Sequence, residues 1–267
     1  YGIAGTYTIR IRGDFPRIFF NNTGDCKKLL DVNQWGSIAW TSMERAFSGC
    51  SNLNITATDL PDLSAVTNMS QMFASCSALN GPGNIGNWNT ASVTDMSFLF
   101  NGASSFNQPI GNWTLNPSVD MSFMLNNCGM DCANYSVTLI GWADNPATPS
   151  GRSLEIIGSI QYGNNAVPAR FTLTNVKSWT ISGDANSGGP CGPAPQPDEF
   201  IITVKTDNPG TSGNTSFTIP TTGGGYNYEV DWDYDGVYDQ SGITGTVTHN
   251  YGIAGTYTIR IRGDFPR

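Results

Sequence analysis

Apolar positions along this 267-residue chain follow two different rhythms. From residue 43 a long spacing dominates: Met43-Glu-Arg-Ala-Phe47, Met69-Ser-Gln-Met-Phe73, Met96-Ser-Phe-Leu-Phe100 and Met121-Ser-Phe-Met-Leu125 recur in steps of 26, 27 and 25 residues. Other positions keep the register, since Ile85-Gly-Asn-Trp88 returns as Ile110-Gly-Asn-Trp113 and Ala65-Val-Thr-Asn-Met69 answers Ser92-Val-Thr-Asp-Met96. A unit this short cannot bury its own apolar face, whereas stacked neighbours can. The pattern therefore predicts a solenoid with one side-chain column per motif position. Each unit is expected to hold a short extended segment near its Val and one or two helical turns around Met-x-x-x-Phe. Thr94 and Asp95 are placed to cap that turn, and Gly49 and Gly102 to end it.

Beyond residue 199 the rhythm shortens to two. Residues 200–205, 216–220, 226–235, 247–250 and 255–262 read as strands, with turn signals at Asn208-Pro-Gly210 and at 223–225. Short strands at this spacing predict a small β-sandwich. Residues 188–197, Gly-Gly-Pro-Cys-Gly-Pro-Ala-Pro-Gln-Pro, form a Pro/Gly linker stiffened toward polyproline II, and they mark the boundary.

One stretch belongs to both ends. Tyr-Gly-Ile-Ala-Gly-Thr-Tyr-Thr-Ile-Arg-Ile-Arg-Gly-Asp-Phe-Pro-Arg stands at residues 1–17 and again, letter for letter, at 251–267. The identity predicts one link of a tandem array with an offset of 250 residues. Within the stretch Tyr257, Ile259 and Ile261 alternate with Thr258, Arg260 and Arg262, the mark of a half-buried strand. No Gly/Ser linker follows, so the strand is expected to run rigidly into the next unit. The first copy is expected to look orphaned or to pair with a neighbouring copy.

The repeat residues also carry a resemblance. Val93-Thr-Asp-Met-Ser-x-x-Phe100 with Asn107-Gln-Pro-Ile-Gly-Asn-Trp113 resembles the BspA-type leucine-rich repeat of bacterial surface proteins. Asn134-Tyr-Ser-Val-Thr-Leu-Ile-Gly-Trp142, Ala169-Arg-Phe-Thr-Leu173 and Trp179-Thr-Ile-Ser-Gly183 are similar to the terminal cap of such proteins. Two features depart from the pattern: the Leu60-Pro-Asp-Leu63 unit lacks the Trp, and the fourth unit is one residue short before Met121. Tyr228-Glu-Val-Asp-Trp-Asp-x-Asp-Gly236 and Tyr251-Gly-x-x-Gly-Thr-Tyr-Thr-Ile259 resemble PKD-like, immunoglobulin-type modules, in which Trp232 would anchor the core.

The implied class is mixed α/β and all-β: a leucine-rich-repeat solenoid with caps, followed by a small immunoglobulin-like (PKD-like) β-sandwich. Residues 1–12 would be the closing strand of the preceding copy's PKD-like domain. Residues 13–187 would be the BspA-type solenoid and cap, 188–198 the linker, and 199–267 the PKD-like sandwich, running into the next solenoid at 263–267.

Composition narrows the function. Charged residues are only 13%, Gly occupies 31 positions and the net charge is −8. That suits strands and turns rather than long amphipathic helices, and offers no basic patch for nucleic acid. No apolar run approaches the length of a membrane span. Six cysteines point to an exported, oxidising setting.

Candidate chemistry is sparse. Asp231, Asp233, Asp235, Gly236 and Asp239 follow positions one, three, five, six and nine of a calcium loop, but Gly242 stands where the bidentate Glu belongs. The alternative is a strand with Trp232 and Tyr234 inward and the carboxylates in water, ending in an Asp-Gly hairpin turn. Cys50 and Cys76 share a slot three residues after Phe47 and Phe73, so they form either a disulfide between rungs or a column of free thiols. Cys128 is a candidate partner for Cys132, and Cys26 and Cys191, outside the repeats, are the remaining candidate pair.

Arg12-Gly-Asp14, repeated at Arg262-Gly-Asp264, matches an integrin tripeptide that three residues readily produce by chance. Sequons at Asn54, Asn112 and Asn134 matter only in a glycosylating source. His249 is the one histidine, and no nucleophile, P-loop or zinc-protease motif occurs.

The expectation is a non-enzymatic structural unit of a long bacterial surface fibre or adhesin stalk, extracellular and partnered by neighbouring copies of itself. The alternative is an adhesin module binding a surface glycan or protein. Calcium is the one candidate cofactor.

Overall fold

The computed structural model describes residues 2–189, 191, 198–234 and 237–265. Its first half is built of stacked turns. Two residues after each repeat methionine, Arg45, Gln71, Phe98 and Phe123 all take a left-handed backbone, with φ of 51°, 55°, 56° and 57°. A right-handed helix cannot continue through such residues. The chain instead closes tight turns, as in Met72 N–H to Met69 C=O at 3.1 Å and Leu99 N–H to Met96 C=O at 3.1 Å. The amides between them reach the next repeat. Met43 donates to Asn68 C=O at 2.9 Å, Met69 to Asp95 C=O at 2.8 Å and Met96 to Asp120 C=O at 2.8 Å, and Phe47, Phe73 and Phe100 reach Met72, Leu99 and Met124 in the same way.

Those bonds set successive repeats one above another. The Phe47, Phe73 and Phe100 rings lie parallel, 5.7 and 5.8 Å apart, and Met43, Met69, Met96 and Met121 are buried beside them. Asp95 accepts from the Ser97 amide at 2.9 Å and from its hydroxyl at 2.7 Å, so it caps a turn and not a helix. Asn68 and Asp120 do the same for Ser70 and Ser122.

This overturns the expected class. A leucine-rich-repeat solenoid needs a strand in every repeat and the helical turns read from Met-x-x-x-Phe. Among the described residues, the repeats hold only the two-residue parallel pair of β1 (Asp31–Val32) and β2 (Asn54–Ile55), with isolated bridges at Ala39–Asp62, Asn68–Asp95 and Asp95–Asp120. No α-helix precedes α1 (Cys132–Asp144) among them. The left-handed residues and the amides committed to neighbouring repeats leave no hydrogen bonds for helical turns.

α1 is capped by Asp131, whose carboxylate accepts from the Asn134 amide at 2.8 Å. Its backbone crosses the preceding repeat at Gly141, where a Cβ would stand 2.7 Å from the Gly111 carbonyl oxygen. Small parallel pairs follow: β3 (Ser153–Glu155) with the later β5 (Thr180–Ser182), and β4 (Gln161–Tyr162) with β6 (Ala185–Asn186). α2 (Val167–Phe171) lies between them in the chain. Buried apolar residues from Cys26 to Ile181 form one continuous cluster.

The C-terminal part holds two antiparallel sheets around a second cluster. One is four-stranded in the order β10 (Gln240–Ile243), β9 (Asn227–Asp231), β12 (Thr256–Asp264), β7 (Glu199–Lys205); the other pairs β8 (Ser216–Ile219) with β11 (Val247–Asn250). Ile219, Tyr228, Val230, Trp232, Ile259 and Ile261 fill the space between. Small separate sheets with few helices are thus the architecture throughout, in place of the expected solenoid-plus-sandwich class. The expected strand at 226–235 also stops at Asp231. Trp232 and Tyr234 are buried, but Tyr234 turns left-handed at φ 62° and the chain reaches β10 only at Gln240. The connection is therefore longer than an Asp-Gly hairpin turn, and Asp235 and Gly236 lie outside the described residues.

Candidate functional site at the duplicated strand

The second copy of the duplicated stretch forms β12, one of the two inner strands of the larger sheet, hydrogen-bonded on both edges to β7 and β9. Its apolar side chains Tyr257, Ile259 and Ile261 enter the core, and its arginines meet acidic residues of the flanking strands. Arg260 lies 3.6 Å from Glu199 of β7 and 3.9 Å from Asp231 of β9, all three almost wholly buried, with the Tyr234 ring 4.4 Å from its guanidinium. Arg262 pairs with Glu229 and stands over the Tyr238 ring.

The charge pattern specifies the register. A slip by one residue would bring Arg260 into the apolar core and leave Glu199 and Asp231 buried without their cation. Gly263 is required where β12 crosses β9: its φ is +123°, and a Cβ would come within 2.7 Å of the Tyr228 Cα.

The first copy has the same letters and a different structure. Ile9 and Ile11 are 68% and 49% exposed, against 0% and 2% for Ile259 and Ile261. Residues 2–14 belong to no strand. One local contact survives in both copies: the Tyr7 hydroxyl donates to Ile3 C=O at 2.5 Å, and the Tyr257 hydroxyl to Ile253 C=O at 2.8 Å.

The end of the stretch connects to the repeats. Phe15 packs edge-on against Trp40 at 6.0 Å, Thr41 N–H donates to Pro16 C=O at 3.0 Å, and Arg17 pairs with Glu44 at 2.8 Å. At the other copy, Phe265 packs on Tyr228 at 4.9 Å and on Tyr226 at 5.9 Å. Reading single residues for candidate chemistry missed this aromatic set and the Glu199–Arg260–Asp231 group. The signal for the latter was the alternation of arginines with apolar residues in one strand and acids in its neighbours.

The acidic cluster lies alongside. Asp231, Asp233 and Asp239 each bring a carboxylate oxygen within 4.8 Å of the others, a donor type that suits a hard cation such as calcium. One Asp239 oxygen accepts the Trp232 amide at 2.7 Å, and Arg260 supplies positive charge beside Asp231. Asp235 falls outside the described residues. Burial pushes the Asp144 carboxyl up, and the Asp239 charge adds to that rise. His249, stacked on Trp232 at 5.0 Å, has its basicity lowered by burial, with Asp239 opposing.

The disulfide found is none of the expected pairings, whereas Cys50 and Cys76 take the free-thiol alternative. Cys132 bonds Cys191, with Cα atoms 5.4 Å apart, and this ties the start of α1 to the Pro/Gly stretch that follows β6. Cys128 is therefore not its partner, and Cys191 does not join Cys26. Cys50 and Cys76 are free and buried, and Cys76 donates its thiol to Phe47 C=O at 3.1 Å. Burial pushes the Cys50 thiol up to about 12 and the Cys76 thiol higher still, which makes both inert packing groups. The second Arg-Gly-Asp is part of β12, and its arginine is engaged by Glu229.

Residues 16–138, the stretch of stacked turns, match the family described as "Mycoplasma protein of unknown function, DUF285". The match supports reading that segment as a surface-protein repeat. No curated protein and no solved structure matches the chain.

Proposed function

We propose that this chain is a non-enzymatic structural unit of a long bacterial cell-surface fibre or adhesin stalk. It would be of BspA-like type with a PKD-like module, and successive units would share one strand. The observation that carries the reading is the contrast between the copies: one sequence is a buried strand at 256–264 and an exposed apolar segment at 6–14. A tandem array resolves the contrast, because residues 5–14 of each unit would complete the sheet of the unit before it.

The junction would be stiff. The ladder of β12 ends at Asp264 against Asn227, and in the first copy the carbonyl of Pro16 is already held by Thr41. One phenylalanine stands between the two anchored positions, too short a span to act as a flexible linker. Load would pass from sheet to stacked turns without a hinge. All seven tryptophans are buried, which favours this mechanical role over glycan recognition by an exposed tryptophan platform.

The test is cryo-electron microscopy of the native assembly. A filament repeating once per 250-residue unit, with the strand before each set of stacked turns inserted in the preceding sheet, is the expected result. Isolated particles with that strand unpaired would overturn it.

A further inference from the structure

An apolar groove of about 480 Å³ opens where β12 leaves the sheets, lined by Phe200, Ile202, Phe217, Ile219, Ile261 and Phe265. Phe200 is 61% exposed and Phe265 44% exposed, so the groove puts large apolar surface in water at the end from which the chain exits. We propose that this groove is an interface surface and that its occupant is the first segment of the following copy of this chain. Within that segment the residue that would enter is Phe19, which follows the shared phenylalanine by four positions. The inference rests on the tandem reading above and names the surface through which two units meet.

Both halves of the interface are visible in one chain because the duplicated stretch is seen in two surroundings. As Phe265, the shared residue rests on Tyr226 and Tyr228 and lines the groove. As Phe15, it rests on Trp40 of the first repeat. Joined, the ring is flanked by Tyr226 and Tyr228 of one unit and Trp40 of the next. Four residues further on, Phe19 is half-exposed with the Arg17 guanidinium 4.5 Å from its ring. A four-residue span reaches at most about 14 Å, so in the joined chain Phe19 stays within that distance of Phe265, which lines the groove. The groove is apolar, and the side chain delivered to it is the exposed Phe19, since Ile18 and Phe20 pack against the first cluster of their own unit. Chemistry and chain connectivity agree on the occupant.

Hydroxyl-radical footprinting tests this on the 267-residue chain and on a two-unit chain in which residues 1–267 continue into a second 18–267. In the single chain Phe200 and Phe217 should be modified readily. In the two-unit chain their modification per unit should fall by about half, because one of two grooves is covered. Phe→Ala at the central joint should restore the single-chain rate, while Phe265→Ala at the outer end should not. An unchanged rate in the two-unit chain overturns the groove proposal, as does protection already complete in the single chain. Amide exchange at β7 and β9 separates the two readings. If those strands are protected in both units, the shared-strand reading stands whatever the groove does; if only one unit is protected, the shared-strand reading itself fails.

Discussion

The same substitution made in each copy of the duplicated stretch should have opposite consequences. Ile259→Ala removes three carbons from a side chain that is 0% exposed among Ile219, Val230 and Trp232. At about 0.8 kcal/mol per buried carbon the transfer loss is about 2.4 kcal/mol, and the cavity raises the total to about 3–4 kcal/mol. Ile9→Ala makes the identical change at a position that is 68% exposed, where the effect should stay within about 0.5 kcal/mol.

Urea unfolding read through amide exchange in β7 and β9 gives the number, since peptides from those strands are unique whereas those of the two copies are not. Taken over the sheets of residues 199–265, a stretch in the 60–100-residue range, the Ile259→Ala transition should also fall by roughly 12 °C or more. Equal losses for the two variants, or a larger loss for Ile9→Ala, would show that the first copy occupies the slot and would refute the assignment of β12.

Other substitutions test the first half and the titrating groups. Cys132→Ser opens a 59-residue link and should cost about 2–4 kcal/mol in thermal unfolding without reductant; reductant should bring the unaltered chain to the same melting point and leave the variant unmoved. Gly141→Ala pits a helix-propensity gain of about 1 kcal/mol against a Cβ placed 2.7 Å from the backbone oxygen of Gly111. Backbone cannot step aside, so overpacking of about 1–3 kcal/mol should win and the melting temperature should fall; a rise would show that α1 does not lie on Gly111. Burial lowers the His249 basicity below its usual 6.5, so the unfolded chain binds the proton more readily. Its contribution is present above pH 6.5 and is lost as pH falls through the lower folded value. Melting curves between pH 7.5 and 5 should therefore flatten in His249→Gln.

Local chemistry explains which features could be read in advance. The 25–27-residue return of Met and Phe names the buried columns directly, because every repeat must bury the same positions. Strands β8 and β11 are legible from alternation between turn residues. The helical turns expected around Met-x-x-x-Phe were misread because i and i+4 apolar spacing also fits two consecutive turns. Only the left-handed residue between them, occupied by Arg45, Gln71, Phe98 and Phe123 without a glycine to betray it, separates the two forms. The Cys132–Cys191 bond joins residues 59 apart, and nothing local to either cysteine indicates the other.

The duplicated stretch divides the two kinds of information within one molecule. Its seventeen letters by themselves determine the tyrosine-to-carbonyl contact at Tyr7–Ile3 and Tyr257–Ile253, which forms in both copies because both partners lie within five residues. They also determine the alternation that makes the segment ready to be a strand. Whether it becomes one is decided elsewhere. A strand's amides and apolar face need partners that only distant chain can supply, and β7, β9 and the second core supply them to residues 256–264 and not to 6–14.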